Sequence, residues 1–221
     1  MNLHNELPPV YKKLLHKLKG QNILGIKMTD SLVLEGLAIV AWNIARQYSH
    51  SPSEAVRRIE NLILANLAAI WTFKLLNDPR FPNYSHIEAL RWHLGHFSEQ
   101  IPADENEDWK YILRFNKVNS FHSITNLETQ LGARIGKCST YTITLGVILC
   151  ACRLVEDLHI VGSQGHAWVH CLVKGESDHR HIDLSLRSHG ELEEDKKPWH
   201  YKKLMEDPAS VKHDLLDLDD D

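Results

Sequence analysis

The apolar positions of the first half recur at helical spacing. Tyr11, Leu14, Leu15 and Leu18 form one stripe and Gly20 follows as a stop, which predicts a short helix over 11–18. A second helix is predicted from about Asp30 to Tyr48. Its apolar residues, among them Leu32, Leu34, Leu37, Val40, Trp42 and Ile44, go nearly all round, which demands burial on most sides. Ser51-Pro52-Ser53-Glu54 marks a third start, with a hydroxyl at the cap, proline at the first helical position and glutamate at the third. That helix is expected to run through Ile59, Ile63, Leu67 and Ile70 to Leu76, where Asn77-Asp78-Pro79 breaks it. A second box, Ser85-His86-Ile87-Glu88, opens a helix to about Phe97. An acidic loop spans Pro102–Asp108, a short helix covers Trp109–Phe115, and the pattern through Asn116–Leu131 sets no register.

The second half has a different rhythm. From Cys138 to Leu154 the chain is apolar and uncharged until Arg153, and about 17 residues is too long for one strand. The run predicts a buried helix that starts just after Gly136. Three strand-like runs follow, Asp157–Val161, His166–Val173 and His181–Leu186, separated by the turn compositions Gly162–Gly165 and Gly175–Asp178. One buried helix followed by an antiparallel meander is an α+β layout. The expected organisation is a helical subdomain over 1–115, an α+β core over 116–205 and an acidic tail over 206–221.

Composition narrows the classes. The chain has 221 residues, 43% hydrophobic and 24% charged, so a folded domain is expected rather than disorder. The net charge of −4 is unevenly spread: residues 190–221 carry 11 acidic and 5 basic side chains, and the remainder 18 acidic against 20 basic. A nearly neutral body offers no electrostatic footprint for nucleic acid, and the acidic end is expected to solvate the terminus. No run approaches the roughly 18 apolar residues of a membrane span. Lys12, Lys13, Lys17 and Lys19 interrupt the place where a secretory leader needs an apolar block. A cytoplasmic protein is expected, with a nuclear one also compatible. Four cysteines in a chain of this length point to reduced thiols rather than a disulfide scaffold.

Three residues draw chemical attention. Cys138 stands at the predicted start of the buried helix, where partial positive charge and unpaired N–H donors favour a thiolate. His166 opens a strand after a glycine turn, and Trp168, two residues on, shares its face and covers it. Asp183 follows on the next predicted strand, in reach of the imidazole as the orienting member of a nucleophile–base–orienter triad. The intervals of 28 and 17 residues are long enough to cross from helix to strand and from strand to strand. Each residue also has an ordinary role: a small semi-buried thiol, a loop histidine, an aspartate with a local partner. Metal and cofactor signals are weak. Cys150 and Cys152 diverge on a helix, His166 and His170 lie on a strand rather than a helix, and His179 and His181 flank a turn. No phosphate-binding loop is present, so neither a metal nor a cofactor is expected.

Taken in order, Gly136-Lys137-Cys138-Ser139-Thr140, Gly165-His166-Ala167-Trp168-Val169 and His181-Ile182-Asp183-Leu184 resemble the core of transglutaminase-like, papain-type cysteine enzymes over about 50 residues. The resemblance implies a nucleophile at Cys138, a base at His166 and an orienter at Asp183. Asp157-Leu158-His159-Ile160 through Val169 is also similar to the N-terminal part of the menin family, whose transglutaminase-like domain serves as a binding scaffold. An acyl-transfer enzyme also needs oxyanion donors. The Cys138 N–H is one, and Gln130, eight residues upstream, is the expected second, with Asn126 and Asn119 as competitors. The expectation is cysteine-dependent acyl transfer on a protein or peptide amide, or else a silent menin-like scaffold that binds a peptide, with no nucleic-acid or membrane partner.

Overall fold

The computed structural model describes residues 6–69, 126–132, 135–163, 166–187 and 198–215. The helix and loop readings between residues 70 and 125, Asn119 among them, lie outside the described residues, as do Gln164-Gly165 and residues 216–221.

Helix α1 (Tyr11–Leu18) forms where the stripe predicts it and buries Tyr11, Leu14 and Leu18. A two-stranded hairpin follows, β1 (Asn22–Ile23) with β2 (Ile26–Lys27), whose turn residues Leu24 and Gly25 both have positive φ, 50° and 76°. That is the twist-matched hairpin turn, and it strains Leu24, which has a side chain where glycine or asparagine is usual. Helix α2 (Leu32–Gln47) starts at Ser31, whose hydroxyl accepts from the Leu34 N–H at 3.1 Å. Helix α3 (Pro52–Asn66) begins at the predicted proline, but Ser51 makes no side-chain cap bond and Glu54 turns instead to Arg57 and Arg58. It also ends ten residues short of the predicted Leu76. Leu67 is extended, and β3 (Ala68–Ala69) pairs in parallel with β4 (Ile135–Gly136). Helix α4 (Leu127–Gly132) is capped by Asn126, whose Oδ1 accepts from the Thr129 N–H.

Helix α5 (Cys138–Ala151) is the centre of the molecule: every residue from Ser139 to Ala151 is buried. It stops at Ala151 because Arg153 takes a left-handed conformation (φ 53°), sending its own N–H to the Cys150 carbonyl and that of Leu154 to Leu149. Helices α1, α2 and α3 and strands β5 and β6 pack on α5. Their apolar residues form one cluster, so among the described residues the helical half shares the core of the α+β half rather than making its own. The predicted boundary at 115 does not separate two cores.

The main sheet has the order β7-β6-β5-β8, with β5 (Val155–Ser163), β6 (His166–Val173), β7 (Arg180–Ile182) and β8 (Val211–Asp214) antiparallel throughout. The architecture is therefore α+β, helices against an antiparallel sheet. Two expectations are corrected. The strand predicted over His181–Leu186 stops at Ile182, and Leu184–Arg187 is a one-turn helix, α6. The cause is local: the Ser185 hydroxyl donates to Asp183 Oδ1, and the Arg187 N–H turns back to the Asp183 carbonyl, so Asp183 starts a helical turn. The segment read as an acidic tail enters the sheet as β8, and Leu215 behind it is buried in the core. An edge strand can leave its polar side chains in water, so charge alone does not prevent pairing. Between them, α7 (Pro198–Met205) lays Tyr201 on Val161 and Trp168. No helix among the described residues is long and apolar enough to cross a membrane.

Candidate active site

Strand β6 divides its side chains between two faces. Val169, Cys171 and Val173 enter the core around α5, while His166, Trp168 and His170 alternate with them on the other face. The N-terminus of α5 meets the start of this strand, and there Cys138 and His166 stand on the wall of a cleft of about 330 Å³. Lys137, Ser139, Ser163 and Ala209 share the wall, with Leu24 of the strained hairpin and Gly162 at close quarters.

His166 is held from two sides. Its Nε2 meets Asp183 Oδ2 at 2.6 Å, and the Cys138 side chain stands beside the ring on the same cleft wall, close enough to bias its protonation. Burial disfavours a charged ring, but the hydrogen bond to Asp183, then the Cys138 side chain, outweigh it and push the His166 pKa up to about 9. The structure therefore brings the three sequence-predicted residues together, with an imidazolium at neutral pH between carboxylate and sulfur.

Asp183 is 2% exposed and would be costly as an isolated charge. It is satisfied by the Ser185 hydroxyl at 2.8 Å and by the Tyr201 hydroxyl, which donates to Oδ2 at 3.1 Å. Sequence reasoning missed both donors. Ser185 carried a signal in its i+2 spacing from an aspartate; Tyr201 lies in a segment with no periodic pattern. Trp168, 0% exposed, backs the imidazole rather than lining the cleft. Its ring lies 6.1 Å from that of His166 and 5.3 Å from that of Tyr201, and its Nε1–H donates to His181 Nδ1 at 3.2 Å.

Among the described residues, the predicted side-chain oxyanion donors are engaged elsewhere. Gln130 is fully buried in α4 and is not among the cleft-lining residues; its Oε1 accepts from the Thr140 hydroxyl, which in turn accepts from the Lys137 N–H at 3.2 Å. This chain of bonds fixes the first turn of α5 and with it Cys138, so Gln130 acts on the helix start. Asn126 is engaged as the α4 cap and with Thr29. Two residues that line the cleft carry donors not used within the fold. The Cys138 N–H is the first of its helix and has no carbonyl within the helix to bond. Ser163, paired across the strands with His166, has a buried Oγ without a hydrogen-bond partner among the described residues.

The other thiols are structural. Cys150, Cys152 and Cys171 are buried, and burial pushes the Cys152 and Cys171 thiols up to about 12, whereas Cys138 is partly exposed. No protein-family model, curated protein or solved structure matches this chain.

Proposed function

We propose that the protein is a cysteine-dependent acyl-transfer enzyme of the transglutaminase-like type, acting on a peptide bond or on a glutamine side-chain amide. The observation that carries this reading is one imidazole fixed by a buried carboxylate on one nitrogen and standing with Cys138 at the wall of an open cleft. The sulfur attacks the amide carbonyl and forms the C–S bond, and the oxyanion is met by the Cys138 N–H and the Ser163 hydroxyl. His166 gives its proton to the leaving nitrogen as the C–N bond breaks, and Asp183 keeps the ring in place. Water then attacks the thioester with His166 as base, the acid leaves, and the thiol is restored. An amine in place of water gives transamidation. The cleft falls within the range of small-ligand pockets, and its small and apolar wall residues suit an uncharged acyl chain.

The test is alkylation by iodoacetamide at about pH 6, where an ordinary thiol reacts slowly, followed by peptide mass spectrometry. Cys138 is expected to be modified ahead of the three buried cysteines, and His166→Ala to slow it at least tenfold, on the order of a lost proton-transfer partner. Cys138→Ala is expected to abolish turnover of any amide substrate and leave the fold intact. A Cys138 that reacts at the rate of a free thiol and is indifferent to His166→Ala rejects the enzyme and favours a silent, menin-like peptide-binding scaffold.

A further inference from the structure

The sheet face that carries His166 and Trp168 holds a second cluster farther along the same strands. His159 on β5 is paired across with His170 on β6 on one side and with Asp214 on β8 on the other. Asp157, two residues before His159, follows a β-bulge, an irregularity that re-aims side chains. His159 Nε2 lies 3.3 Å from Asp157 Oδ2, and its Nδ1 lies 3.8 Å from Asp214 Oδ2. One ligand atom each from Asp157, His159 and Asp214 all lie within 4.8 Å of one another. From the turn before β7, His179 brings its Nε2 to 2.8 Å from Asp157 Oδ2. Ligands of a tetrahedral zinc ion with bonds of about 2.0–2.1 Å stand about 3.3 Å apart, so Asp157, His159 and Asp214 can close on a metal by side-chain movement alone.

Two further observations favour a bound ion. The Nδ1 of His170 is buried with no hydrogen-bond partner among the described residues, and its ring is stacked on both His159, at 6.1 Å, and His179, at 4.8 Å. A buried polar atom left unsatisfied in the middle of such a group is a mark of an ion or water site. His181 stands 4.7 Å from His170 on the other side, so four imidazoles and two carboxylates gather on this patch of the sheet. A dication among them balances the two carboxylates, and imidazole is a common ligand of such ions.

We infer that Asp157, His159 and Asp214 form a site for a zinc-class divalent cation, with His179 holding Asp157 from outside it and His170 packed against it, apart from the Cys138 cleft. Mixed imidazole and carboxylate donors suit such an ion better than calcium or magnesium, which favour oxygen alone. Its consequence in the fold is to tie edge strand β8 and the turn before β7 to the middle of the sheet.

The full chain carrying Cys138→Ala, which removes the competing thiol, is stripped with chelator and titrated with Zn²⁺ by calorimetry. One ion per chain is expected, together with a saturable rise in the thermal unfolding midpoint. Asp157→Asn and His179→Ala, both at partly exposed positions, are each expected to weaken binding roughly tenfold or more, while His50→Ala, remote from the cluster, leaves it unchanged. Circular dichroism of each metal-free variant separates a lost ligand from a lost fold. Absence of saturable zinc binding, or wild-type affinity in correctly folded Asp157→Asn and His179→Ala, overturns the assignment.

Discussion

Asp183→Asn removes the charge that keeps His166 protonated while preserving the side chain's shape and one acceptor oxygen. The His166 pKa stands at about 9 against an ordinary 6.5, and its side chain is 23% exposed, so solvent screens it little. Holding that proton stabilises the native state by about 3 kcal/mol. Because the folded value lies above the unfolded one, this stability is complete below about pH 6.5 and is lost as pH rises through about 9. The groups that face the ring are Asp183 with its donors Ser185 and Tyr201, Cys138 from α5, and the stacked Trp168; Lys137 stands on the same cleft wall. Urea unfolding at intervals from about pH 6 to 9.5, with chelator present, reads the slope, and NMR titration of the imidazole reads the pKa directly. The wild type is expected to lose up to about 3 kcal/mol across that window. Asp183→Asn should flatten the slope and lower the imidazole pKa by more than Cys138→Ala does, since the carboxylate is the stronger of its two partners. A flat wild-type profile, an imidazole that titrates near 6.5, or the reverse order of the two variants refutes this account of how the ring is held.

Trp168→Ala removes the fully buried side chain between His166 and Tyr201 and leaves His181 Nδ1 without its donor; a loss of about 3–5 kcal/mol in urea unfolding is expected. Gly162→Ala places a Cβ 2.5 Å from Leu24 Cδ2, the free end of a flexible side chain, so Leu24 should swing aside at a cost of about 1 kcal/mol. Because both residues line the cleft, the same variant should change the rate of Cys138 alkylation, and an unchanged rate would show that the hairpin does not shape access to the sulfur.

What the sequence disclosed follows from where the physics is local. Helix α1, the extents of α2 and β6, and the start of α5 were legible because each rests on its own periodicity or on a cap. The convergence of Cys138, His166 and Asp183 was legible because each sits at the end of a core element, and ends of packed elements have few places to go. Features that depend on partners distant in sequence were hidden. Leu24-Gly25 lacks the usual composition of its turn, so the hairpin did not announce itself. Helix α3 gives way at Leu67 to a parallel pairing with residues 67 positions downstream, against an apolar pattern that runs on. Gln130, expected as an oxyanion donor from its distance along the chain to Cys138, instead accepts from Thr140 in the first turn of α5, a contact that spacing alone does not reveal. Val211–Asp214 reads as solvated because its composition is polar, and only the open edge of β5 makes it a strand.

The two-sided character of β6 also limits how this protein can change. Val169, Cys171 and Val173 pack the interior, while His166, Trp168 and His170 between them carry the polar apparatus. A single-residue insertion or deletion between 166 and 173 would exchange the two sets, sending imidazoles into the interior and aliphatic groups to the cleft. Substitutions there can be tolerated one at a time, whereas changes of length by one should be lethal to folding and chemistry together. Libraries built on this scaffold should therefore vary side chains in β6 and confine indels to the turns that flank it.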